Sequence, residues 1–147
     1  MQDFPVVDGF QAPSDAECKT NRRAIVLQER DGYLDLVPIS TVLEKSWRGV
    51  RLDGPACQKS GLTKDGYARD HVIRVSKDSV WVRGVSRVGR IQPSKDVRFA
   101  EKLCDLLAQA QCFIVHDTEM PLLYVKGSGV SPLSRMSYCV KPYLKVL

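Results

Sequence analysis

Arg22-Arg23-Ala24-Ile25-Val26-Leu27-Gln28-Glu29-Arg30-Asp31-Gly32-Tyr33-Leu34-Asp35-Leu36-Val37-Pro38-Ile39-Ser40-Thr41 holds two short apolar runs joined by a turn signal. Residues 24–27 read as a buried-type strand, and residues 33–39 alternate in part before turning apolar, as a return strand does. Asp31-Gly32 between them favours the positive φ that tight hairpins require. Arginine stands at the mouth of the first run, and two hydroxyls end the second. If the strands pair, a guanidinium and a hydroxyl meet on a rigid sheet. That arrangement suits gripping a phosphodiester, because arginine presents a fork of donors to phosphate oxygens and a hydroxyl donates to the same group.

Outward from this hairpin, residues 4–7 suggest a short strand within an otherwise loop-like start, and residues 49–52 suggest another strand. Residues 55–63 read as a loop punctuated by Gly54 and Gly61. Residues 67–75 and 79–85 are expected to be strands, followed by Gly89-Arg90-Ile91. Pro93-Ser94 then reads as a helix start, with Ser94 as the cap and Asp96 complementing the dipole. Val97, Ala100, Leu103, Cys104 and Leu107 recur at three and four, which predicts an apolar helix face. Lys95, Arg98, Lys102 and Asp105 fall opposite. Residues 112–115 and 122–125 are again strand-like. Many short strands with one late helix argue for a mainly β chain, a small curved barrel or sheet with an appended helix.

At 147 residues, with 44% apolar and 27% charged residues, the chain has the size and composition of one soluble globular domain. No run approaches the ~18–20 apolar residues of a membrane span. Met1-Gln2-Asp3-Phe4-Pro5 lacks both a basic start and a long apolar core, so no signal peptide is expected. Five cysteines without a CxxC pair fit a reduced, cytoplasmic setting, with Cys104 expected as a small buried hydrophobe. His71 and His116 stand at no ligand spacing, so neither a metal nor another cofactor is expected. The net charge of +5 is uneven: residues 45–102 hold 14 Lys/Arg against 6 Asp/Glu, and the remainder 8 against 11. A basic centre of this kind suggests a surface for a polyanion.

The ordered set resembles the MazF/PemK (Kid-like) family of toxin endoribonucleases. It comprises Arg22-Arg23-Ala24, Val37-Pro38-Ile39-Ser40, Gly61 to Val75 with Ala68-Arg69-Asp70-His71 at its core, Val88 to Ser94, and the helix. The likeness covers roughly residues 20–108, so residues 1–108 are expected to form the barrel plus helix. Residues 109–147 would be an extension packed on the same domain. The resemblance implies an SH3-like, plasmid-toxin (MazF/CcdB-type) barrel, a homodimer, single-stranded RNA as substrate and an acidic antitoxin protein as partner.

It also implies roles for individual residues. Arg22 matches the family arginine and would meet transition-state charge. Ser40 matches the Thr/Ser of the Val-Pro motif, and Thr41 would exchange with it after a one-residue shift. Asp70 aligns with the aspartate of an Ala-Asp-Gln-like segment, with His71 where glutamine is common. Arg23, which replaces the family's proline, is expected to contact RNA together with Arg69, His71, Arg83, Arg87 and Arg90. The expected activity is metal-independent cleavage by 2′-OH attack. The alternative is a catalytically inactive barrel that binds protein or nucleic acid, as CcdB-like inhibitors bind their target. Trp47 and Trp81 read as core or interface residues, or as platforms for unpaired bases.

Overall fold

The computed structural model describes residues 3–13, 18–43, 45, 48–59, 61, 65–79, 81–115 and 138–145. In chain order these form β1 (Phe4–Pro13), β2 (Cys18–Arg30), β3 (Tyr33–Ser40), β4 (Gly49–Leu52) and the short helix α1 (Gly54–Lys59). There follow β5 (Gly66–Arg69), β6 (His71–Ser76), β7 (Ser86–Ile91), helix α2 (Val97–Leu107), β8 (Gln111–Val115), β9 (Tyr138–Pro142) and a 3₁₀ turn at Tyr143–Lys145. The chain is mainly β. One mixed sheet runs β7-β1-β2-β3-β6-β8-β9, and β5 branches from β3 to carry β4. Among the described residues the sheet stays open, with β7 and β9 at its ends. No described helix is long and apolar enough to cross a membrane.

The β2–β3 hairpin is antiparallel, with Ala24 opposite Pro38, Ile25 opposite Val37 and Val26 opposite Leu36. Its turn falls on Asp31-Gly32, where Gly32 adopts φ +93°; a side chain there would be strained, which is why the Asp-Gly signal locates the turn. Strand alternation sends successive side chains to opposite faces, and both faces are covered. On the first face Val6, Ile25, Val37, Ile39 and Val72 pack under Phe99, Leu103 and Leu106 of α2. On the second, Val7, Ala24, Val26, Leu36, Ile73 and Val75 pack under Trp81 and Val82. A sheet buried on both sides reads as near-continuous apolar runs, as β2 and β3 do.

Residues 66–76 do not form one strand. β5 pairs Ala68 with Ile39, whereas β6 pairs Ile73 with Leu36. Val37 and Pro38 therefore face the four residues Arg69 to Val72, a bulge that coincides with a proline lacking its ladder donor. β8 then adds to β6 in parallel and β9 to β8 antiparallel, so residues 111–115 and 138–142 belong to the same sheet as the hairpin.

Several expectations change. Ser79 and 81–85 form turns, not a strand; Trp81 and Val82 instead fold down as the lid of the second core, and the strand comes later as β7. The expected loop after Gly54 contains α1. β1 is ten residues long and pairs with both β2 and β7. α2 lies where periodicity places it, but its buried face is Phe99, Leu103 and Leu106. Val97 is 48% exposed and Cys104 is exposed as well, because the helix docks on the Phe99 side, where the larger side chain fills the core. The N-cap is Asp96, not Ser94. The strand expected at 122–125 and Trp47 lie outside the described residues.

Candidate functional site

Register brings Arg22 and Ser40 together. Ala24 faces Pro38 across β2 and β3, so the residues two positions outward face each other on the same side of the sheet. The Arg22 guanidinium donates from Nη2 to Ser40 Oγ at 3.1 Å. Both side chains are buried, Arg22 being 6% exposed and Ser40 5%. Phe10, opposite Arg22 on β1, is fully buried and packs its ring 6.3 Å from Trp81. The pair thus sits at the polar end of the second core.

Two further buried polar groups occupy that face. Arg69 alternates with Ala68 of the first core, and His71 with Val72 of the first core, so both project to the second face from either side of the bulge. Arg69 is 1% exposed and His71 7%. The His71 ring meets Phe113 edge-on at 5.4 Å, and its Nδ1 lies 3.7 Å from Asp70 Oδ1. The adjacent His71 ring, above all, holds the Asp70 carboxyl below its usual range, assisted by a backbone contact and by the charge of Arg69, against the opposing effect of burial. Asp70 is about one-third exposed, so it connects this buried set to solvent.

The other candidate residues lie elsewhere. Thr41 is exposed just beyond the end of β3. Arg23 points to the opposite face from Arg22 and donates from Nη1 to the Gly61 carbonyl at 2.6 Å, which anchors the segment after α1. Arg83, Arg87 and Arg90 are exposed; the last pairs with Asp3 at 3.4 Å. Trp81, 1% exposed, is a core residue. Among the described residues, no group of three or more His, Cys, Asp or Glu is placed to hold a metal ion.

A second polar centre escaped the motif-based reading. Asp35 is fully buried and accepts two parallel bonds from Arg74, Nε to Oδ1 at 2.7 Å and Nη2 to Oδ2 at 2.8 Å. Tyr143 donates its hydroxyl to Asp35 Oδ2 at 3.2 Å, and the Arg74 guanidinium lies 4.3 Å over the Tyr33 ring. The hydrogen bond to Asp35 raises the Arg74 pKa further above its ordinary value. Burial, with the Asp35 charge beside it, pushes the Tyr143 phenol well up. Burial likewise pushes the nearby Cys112 thiol up to about 11. The signal was present in sequence: Leu34-Asp35-Leu36 and Ile73-Arg74-Val75 each place one charge inside an apolar run, and a buried charge needs a partner.

No family model matches the chain, and no curated protein is detectably similar to it.

Proposed function

We propose that this chain is a metal-independent endoribonuclease of the MazF/PemK type, cutting single-stranded RNA at the Arg22–Ser40 pair. The observation that carries the reading is the 3.1 Å contact between a guanidinium and a hydroxyl on two paired strands, the elements that the resemblance to that family requires. In this reading the branched, open sheet is a relative of the MazF/CcdB-type barrel, extended by β8 and β9. The 2′-OH of the RNA attacks the adjacent phosphorus, the P–O5′ bond breaks, and a 2′,3′-cyclic phosphate forms. Arg22 neutralises the charge that grows on the non-bridging oxygens, and Ser40 donates to one of them. Fixed donors aimed at developing charge are effective because they need no reorganisation. His71, held by Asp70, takes the proton from the 2′-OH and returns it to the leaving 5′ oxygen. Thr41, Arg83, Arg87 and Arg90, all exposed, guide the strand. A homodimer, a cytoplasmic setting and an acidic antitoxin segment complete the reading, and the basic stretch 45–102 supports the last of these.

The test is incubation of the protein with a long single-stranded RNA in EDTA, beside Arg22→Ala. Discrete fragments ending in 2′,3′-cyclic phosphate are expected, with the rate falling about 10²–10³-fold in the variant, as for loss of one transition-state donor. Undiminished cleavage by a folded Arg22→Ala protein would remove that residue from the site. The burial of Arg22 and Ser40 favours a second reading, a binding module in which the pair only braces the sheet. Intact RNA with a folded wild-type protein would select it.

A further inference from the structure

A cleft of about 460 Å³ opens between β4, α1 and the start of α2, within the size range of small-molecule sites. Arg51, Lys95, Arg98 and Lys102 line it, together with Asp53 and Asp96. Both carboxylates are already matched. Asp53 pairs with Arg51 Nε at 3.1 Å. Asp96 pairs with Lys59, outside the cleft lining, at 2.6 Å, and accepts the Gln92 N–H at 2.9 Å. Among the described residues, Lys95, Arg98 and Lys102 have no ion-pair partner. Arg98 and Lys102 stand four apart on one helix, where like charges repel. A cluster that costs stability and faces a concavity is poised for an anion.

The remaining lining defines the rest of the ligand. Ala56 and Val97 border the same cleft, and Val97 exposes an apolar side chain directly beside the cations. Charges gathered around one concavity, with an apolar wall, suit a compact phosphate ester rather than an extended backbone. We infer that this cleft binds a small phosphorylated molecule of nucleoside-monophosphate size, its phosphate held by Lys95, Arg98 and Lys102 and its ring against Val97 and Ala56. α2 packs on the first face of the sheet, opposite Arg22 and Ser40, so the site is separate from the proposed ribonuclease centre and stands without it.

Calorimetric titration of the protein with AMP tests the inference, with inorganic phosphate and a single-stranded oligoribonucleotide as comparison probes. Saturable one-to-one binding of AMP is expected, tighter than phosphate. It should weaken about tenfold in Arg98→Ala and again in Lys102→Ala, the effect of losing one charge-assisted contact, while Arg98→Lys keeps most of it. Both residues are exposed on α2, so thermal melts of the variants should match wild type. The inference is overturned by any of three results: no AMP binding to folded protein, AMP binding indifferent to both alanine variants, or phosphate binding as tightly as AMP. Binding of the oligoribonucleotide alone, through the same residues, would also overturn it and make the cleft a strand contact.

Discussion

Replacing Arg74 by methionine probes the buried charge pair between β3 and β6 most directly. Methionine keeps much of the side-chain length but removes both donors, leaving fully buried Asp35 with the single Tyr143 hydroxyl at 3.2 Å. Removing one partner of a buried, hydrogen-bonded ion pair costs about 3–5 kcal/mol, because the other charge stays desolvated. The bidentate geometry at 2.7 and 2.8 Å and the position of Arg74 over Tyr33 place this pair at the upper end. Near 150 residues each kcal/mol moves the melting temperature by about 2–4 °C, so Arg74→Met should melt roughly 10–15 °C below wild type. The double variant Asp35→Leu/Arg74→Met should recover to within about 1 kcal/mol of wild type, since a well-packed apolar pair replaces a buried ionic one at little cost. Thermal and urea unfolding at neutral pH measure both. A single variant within about 1 kcal/mol of wild type, or a double variant as unstable as the single, would refute the claim that desolvated charge dominates this site.

Tyr143→Phe should lose about 1 kcal/mol at neutral pH, the net worth of one hydrogen bond. The phenol's folded pKa is raised, so its contribution is present below its unfolded value of about 10 and fades as pH rises through the folded value. Wild type and variant should therefore converge in alkaline unfolding curves, and parallel curves would contradict the assignment. Asp70, depressed by His71, contributes above its unfolded pKa of about 3.9 and loses that contribution as pH falls through the folded value. Asp70→Asn should accordingly flatten the acid limb of stability against pH, which acid titration of the fold would show. Gly9→Ala should destabilise by about 1–3 kcal/mol: Gly9 has φ +91° and a Cβ there would meet the Gly84 carbonyl oxygen at 2.7 Å. A melt unchanged by that substitution would mean the backbone around Gly9 relaxes freely.

The hairpin was legible because its signals are local. Asp31-Gly32 locates the turn, but counting back from Arg30 opposite Tyr33 would set Arg22 against Thr41; the register shift between Val26 and Gln28, which no local signal marks, is what opposes Arg22 to Ser40. Residues 49–52, 97–107 and 112–115 were legible for the same reason, each carrying its own pattern. Ser79 to Val85 misled because alternating apolar residues read alike in a strand and in a lid whose Trp81 and Val82 turn inward. On α2 the spacing of Val97, Ala100 and Leu107 gave the helix but not its rotation, which the docking of Phe99 against the first core decides. Arg23 reads as a phosphate contact in sequence. Only the fold shows its carbonyl partner, Gly61, 38 residues away. The bulge at Asp70 lies opposite Pro38, across the sheet in a different segment, and no window of sequence contains both.

The Tyr143 bond spans 108 residues to Asp35, and this separation governs how the molecule is made. During synthesis at ~5–20 residues per second, Asp35 emerges many seconds before the tyrosine that completes its shell. β6 must meanwhile wait with a bare edge for β8, and β8 for β9. An unpaired edge is a template for another nascent chain, and distant pairings are slow to form. Truncation before residue 138, or a pause in translation there, would leave a chain with an intact hairpin and a sheet margin open to aggregation. Among the described strands, the cover for the β8 edge is therefore the last to arrive.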